Sequence, residues 1–137
     1  MDLNKMTETI KAHPEFHKAG MIATHLGIVR SFSRNGRPVV GLDVEFKNEK
    51  VAEIEQDIKS LPGIVDTIIE TNTGSLNVGD EVVAIMVAGD TRDNVFPALT
   101  HAINRIKSEA VVEKEKIRNN FSTIFLDKSP GSPESDL

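Results

Sequence analysis

The sequence predicts an α+β fold, a mostly antiparallel sheet with two main helices packed on it and a short helix at the N-terminus. Three features of the pattern predict it. Several short runs alternate apolar and polar residues, the period of a strand with one wet face. Two longer segments carry apolar residues three and four apart, the period of a helix with one buried stripe. About five strands fall in clusters of two around these helices, which argues against a strictly alternating parallel α/β arrangement.

Taken in order, Leu3, Met6 and Ile10 recur at helical spacing and stop before His13-Pro14, where proline restricts the residue ahead of it. Residues 21–30 (MIATHLGIVR) read as a strand, and SFSRNGRP after them as a basic turn or mobile loop built on Asn35-Gly36 and Pro38. Val40, Leu42, Val44 and Phe46 alternate with Gly41, Asp43 and Glu45, a strand with one wet face. Val51, Ile54, Ile58 and Leu61 mark a helix that Pro62-Gly63 stops. Residues 64–70 are β-branched and predict a strand, residues 74–80 (GSLNVGD) a punctuated connection, and residues 81–88 (EVVAIMVA) a central strand. A second long helix should turn Val95, Phe96, Leu99, Ile103 and Ile106 inward, with its start near Asp93 to accommodate Pro97. Residues 110–117 (AVVEKEKI) fit either a last strand or more helix. The expected organisation is a single domain over residues 1–125, followed by a disordered tail, residues 126–137, rich in Ser, Pro, Gly and acid.

Composition narrows the chemistry. At 137 residues the chain can bury one core. The formal charge of −5, with no Trp or Tyr, argues against nucleic acid as a partner, because phosphate binding needs a basic face and base stacking needs aromatics. No apolar run approaches the roughly 20 residues of a membrane helix and no signal-peptide pattern opens the chain, so no membrane association and a cytoplasmic location are expected. Cysteine is absent, so any sulfur chemistry must use sulfur that a partner brings. His13 and His17 stand four apart, but Pro14 lies between them and no third ligand supports a metal site. His25, inside a strand, and His101, on a helix, read as structural residues, and no Ser-His-Asp order, P-loop or GxGxxG occurs.

The candidate binding groups are cations at element ends: Arg30, Arg34, Arg37, Arg92, Lys107 and Lys114. Asp90-Thr91-Arg92 opens a helix, whose first N–H groups favour anions, and Arg92 adds a forked donor. The same residues also serve as a plain helix cap with Arg92 in solvent.

The runs GIVRSFSRNG, VVGLDVEF and TGSLNVGDEVVAIMVAGDTRDNVFPALTHAINRIK, with EKE at 113–115, resemble the large subunit of molybdopterin synthase over residues 21–117. The most specific part is the G-x-L-x-x-G-D turn at 74–80 combined with a downstream Arg92 and the Lys107/Lys114 pair seven apart. The resemblance implies an α/β hammerhead fold, with Lys107 and Lys114 as active-site lysines and Arg30, Thr91 and Arg92 binding substrate. It implies a dimer of large subunits at the core of a heterotetramer. Each large subunit would accept the C-terminal Gly-Gly tail of a small ubiquitin-like sulfur carrier. The carrier's thiocarboxylate would deliver sulfur to cyclic pyranopterin monophosphate, forming the dithiolene of molybdopterin with no metal or redox cofactor. Three departures keep open a second reading, a relative that binds a pterin phosphate or the carrier without turnover. Thr91 stands where the family has the His of an H-R pair, Thr71-Asn72 replace an earlier H-R, and Val111-Val112-Glu113 replace P-x-W. Glu113 is also adjacent to Lys114, where it could pair with the amine and keep it protonated.

Overall fold

A computed structural model describes residues 1–118 and 123–128. The apolar run at 81–88 becomes strand β5 (Glu81–Gly89), buried from Val82 to Gly89 because helices cover both of its faces. Its neighbours are β1 (Met21–Ile28) and β3 (Ile64–Thr71), both antiparallel to it, in a sheet of order β1-β5-β3. Even-numbered residues of β5, Ala84, Met86 and Ala88, pack against Met6 and Ile10 of α1 (Leu3–Lys11). Odd-numbered residues, Val83, Ile85 and Val87, face α2 (Asn48–Lys59) and α3 (Arg92–Arg105).

A second antiparallel sheet has the order β4-β2-β6-β7, formed by β2 (Val39–Phe46), β4 (Gly74–Asn77), β6 (Val111–Arg118) and β7 (Thr123–Lys128). Leu42, Val44 and Phe46 turn inward with Leu76 and Val111 and join the main core. Asp43 and Glu45 turn the other way, as the alternation predicts. The stripe on α2 is also the predicted one: Val51, Ile54 and Ile58 are buried.

Three expectations need correction. The connection at 74–80 contains a strand: residues 74–77 pair with β2, and only then does the chain turn, with Asp80 N–H donating to the Asn77 carbonyl (2.9 Å) and Asn77 N–H to the Asp80 carboxylate (2.7 Å). Four residues with one large apolar side chain carry too little alternation to read as a strand. Phe96 is 52% exposed, because the buried stripe of α3 is Val95, Ala98, Ala102 and Ile106. The alanines let the helix lie close to the sheet, and Phe96, about 100° around the axis from Val95, faces out. Of the two readings of residues 110–117 the strand is the one found: a π turn (Ile106–Ala110) ends the helix, and β6 begins at Val111. Finally, residues 126–128, assigned to the tail, belong to β7, while 129–137 lie outside the described residues. The loop at 31–38 is closed by its own hydrogen bonds, Ser33 N–H to the Arg37 carbonyl (2.9 Å) and Arg37 N–H to the Ser33 hydroxyl (3.1 Å), with Ser33 buried.

Candidate functional site

Arg30 follows β1 and stacks its guanidinium over the Phe32 ring, 5.1 Å from the centroid. It also lines a cavity with Val29, Leu42, Val82 and Glu113. That cavity holds only about 10 Å³, room for one water at most, so the inner side of Arg30 is packed against protein rather than open to a ligand.

Lys114 stands on β6 opposite Asp43 of β2 and lines an open cleft of about 670 Å³. Glu45, Val112, Thr73 and Ser75 share that wall, and the volume lies within the range of small-molecule sites. Beside it the Lys116 ammonium bonds the Ser75 hydroxyl and lies 3.5 Å from the Asp43 carboxylate, which offsets one of the two acids at the cleft. The backbone also decides the fate of Glu113. Consecutive residues of a strand face opposite ways, so Glu113 is buried in the cavity with Arg30 while exposed Lys114 faces the cleft. The expected pairing of these two neighbours is not what the strand geometry favours.

Lys107 occupies the π turn after α3. Its ammonium acts on His25 of β1: burial, and then the Lys107 charge, hold the imidazole below its usual range, so His25 is neutral near pH 7. Thr91 and Arg92 stand at the other end of α3, both exposed. Fourteen helical residues at about 1.5 Å each put Arg92 roughly 20 Å from the turn that carries Lys107. Thr91 is the N-cap by backbone conformation but makes no side-chain cap bond. The Asp90 carboxylate, just ahead of the helix, accepts from the Asn94 side-chain amide (2.9 Å) and from Thr91 N–H (2.6 Å), bonds that hold its carboxyl below the usual range.

One chain therefore sets Arg30 against Glu113, Lys107 near His25, and Lys114 in the cleft, and it keeps Arg92 away from Lys107. Sequence reasoning read His25 as a structural residue and did not foresee the burial of Glu113 and Glu115. For the acids a signal existed: Val111, Glu113, Glu115 and Ile117 share one face at period two, and apolar residues bracket that face. For His25 none existed, because its neighbour Lys107 is 82 positions away.

The sequence model of the family described as MoaE protein matches residues 1–109, a span that includes Arg30, Thr91, Arg92 and Lys107 and stops short of Lys114. The chain is 30% identical over 115 residues to the molybdopterin synthase catalytic subunit of Bacillus subtilis, covering 81% of this chain and 73% of that protein. It is 28% identical over 120 residues to the probable molybdopterin synthase of Haloferax volcanii, covering 83% of this chain but only 46% of that longer protein. Among solved structures, molybdopterin synthase from Staphylococcus aureus superposes with a TM-score of 0.73 at 24% identity, over 92% of this chain and 90% of that one. The complex of subunits 1 and 2 of molybdopterin-converting factor from Helicobacter pylori gives 0.66 at 18%, over 91% and 84%. At these identities the structural likeness bears on the fold, and the expected α+β architecture is the one these structures share.

Proposed function

This chain belongs to the MoaE protein family, and on that premise we propose that it is the large subunit of a molybdopterin synthase. It transfers sulfur from a thiocarboxylated carrier tail to cyclic pyranopterin monophosphate. The observation that carries the proposal is Lys114, the second lysine of the pattern, on the wall of an open cleft of about 670 Å³. The carrier's thiocarboxylate and the substrate's phosphate are both anions, so fixed cations are the groups that bind them and stabilise charge as it moves. Each transfer leaves the tail as a carboxylate whose new oxygen comes from water. In this reading Lys107 acts at the thiocarboxylate, Lys114 orients substrate or moves a proton, and Arg30 holds the anion. Thr91 and Arg92 reach the same ligand from a second copy of the chain, within a dimer that also carries two small subunits.

The test is reconstitution with a thiocarboxylated carrier and the pyranopterin substrate, with dithiolene product as the readout. Wild type should form product, and Lys107→Ala and Lys114→Ala should each lose at least about 100-fold, the typical contribution of a positioned proton-transfer group. No product from wild type, or full activity in both variants, sinks the proposal. Binding without turnover is the second reading, favoured by Thr91 in place of a titratable His and by the buried acid Glu113 in place of an aromatic. Tight binding of the substrate with no product from it would select that reading.

A further inference from the structure

We propose that His25 is a positioning residue for Lys107: its imidazole offers Nε2 as a hydrogen-bond acceptor to the lysine amine and limits the directions that amine can take. This rests on the reading of Lys107 as a site amine and deepens it. Alternation along β1 fixes the placement. Ile22 and Leu26 pack with α1, while Ala23 packs with α2 and α3, so His25, two residues on from Ala23, is on the face that α3 covers. Its partner across the sheet is Ile85, buried in that same core. Above it α3 runs out into the π turn that holds Lys107.

Nε2 of His25 is buried and has no hydrogen-bond partner among the described residues. Buried polar atoms in folded proteins are nearly always paired, so an unpaired one calls for an explanation. A neutral imidazole carries one nitrogen that donates and one that accepts. The surroundings offer Nε2 little else: Ala23 and Gly27 flank it on β1, Ile85 faces it from β5, and Lys107 is the charged group acting on it from the helix side. An ammonium is a donor with no acceptor capacity, and a lone imidazole acceptor is its complement. A lysine has four rotatable carbons and sits here on a turn, so a fixed acceptor beside it reduces the orientations it must search before reaction.

The proposal is tested by a proton NMR titration of the imidazole resonances, with His25 identified by its loss in His25→Gln. The His25 midpoint should rise in Lys107→Gln and stay at its wild-type value in Lys107→Arg. An unchanged midpoint in Lys107→Gln overturns the proposal whatever the enzymatic activity. In the sulfur-transfer assay His25→Leu should lower kcat roughly tenfold, the kinetic equivalent of one hydrogen bond, with KM for the carrier unchanged. His25→Gln keeps an acceptor, so it should stay within about threefold of wild type, roughly half of that bond at most, and lose the acid limb of the pH profile. Wild-type kinetics and an intact acid limb in His25→Leu also overturn the proposal. Full activity in Lys107→Ala would instead overturn the assignment of Lys107 itself, and the NMR titration would still decide whether the two side chains are coupled.

Discussion

Gly89 is the point at which β5 hands the chain to α3, and Gly89→Ala tests the packing there. A Cβ added at Gly89 would lie 2.7 Å from the Gly63 carbonyl oxygen, 2.7 Å from Val95 Cγ2 and 3.2 Å from Ile64 Cδ1. Carbon contacts are comfortable at about 3.5–4.0 Å, so the neighbours must move by roughly 1 Å. None moves easily. The Gly63 carbonyl accepts the Asp90 N–H at 2.9 Å, and Val95, wholly buried and β-branched, is fixed in the first turns of α3. Overpacking of this kind costs about 1–3 kcal/mol. For a chain of this size each kcal/mol is worth about 3 °C, so Tm should fall by roughly 3–9 °C. The assay is thermal unfolding followed by far-UV circular dichroism at fixed protein concentration. Gly79→Ala is the comparison: an added Cβ there meets nothing within 4 Å, and the cost is confined to the left-handed backbone at φ +93°, about 1–2 kcal/mol. A Tm for Gly89→Ala within about 1 °C of wild type, under 0.5 kcal/mol, would refute the close approach of α3 to the β3 turn.

Three further outcomes follow from the same coordinates. Arg105→Ala should cost about 1 kcal/mol, because the guanidinium bonds Glu109 (2.7 and 3.0 Å) and ties α3 to Asp57 of α2 (2.6 Å). Urea unfolding should show that cost shrinking in 1 M salt, where the screening length is about 3 Å. Ile58→Ala, at a fully buried position of α2, should cost about 2–5 kcal/mol in the same titration without abolishing the fold. Because the folded state holds the His25 pKa below its usual value, that site adds no stability penalty above about pH 6.5. Below that pH the unfolded chain takes up the proton first, so a penalty builds as pH falls and is complete below the folded value. His25→Gln should flatten the dependence of Tm on pH just below 6.5, and an unchanged slope would count against the described burial.

Legibility in the sequence tracked how much of a pattern each element could display. The nine residues of β5 and the three- and four-residue spacing of α2 repeat often enough to declare their class, and the alternation of 42–46 named its buried face correctly, while Val40 is half-buried beside a register shift. β4 could not do so, since its strand character is supplied by the pairing of Gly74–Asn77 with β2 rather than by its own side chains. Phe96 was misassigned because size suggested burial, whereas the close approach of helix and sheet selected Ala98 and Ala102. The candidate site divided the same way. Arg30, Lys107 and Lys114 could be named as candidates from the sequence, but the direction each side chain takes is set by strand register and by a π turn, neither of which local spacing encodes.

The separation of Arg92 from Lys107 yields the sharpest test of a shared site. Both are carried on α3 or the turn that ends it, and a helix is too stiff to fold back on itself, so about 20 Å between them persists in any one chain. That span exceeds the combined reach of the two side chains toward one small ligand. If both act on the same substrate, Arg92 must come from another copy, and in a two-fold dimer the exchange is reciprocal. Arg92→Ala and Lys107→Ala, each inactive alone, should then regain activity when unfolded together and reassembled. In a mixed dimer one site combines both lesions and the other is intact. Half of randomly paired dimers are mixed, so about a quarter of wild-type sites return. If each chain used its own Arg92, every site in the mixture would carry one lesion and none would recover. Product formation on mixing therefore separates the two arrangements without depending on the absolute rate of the enzyme.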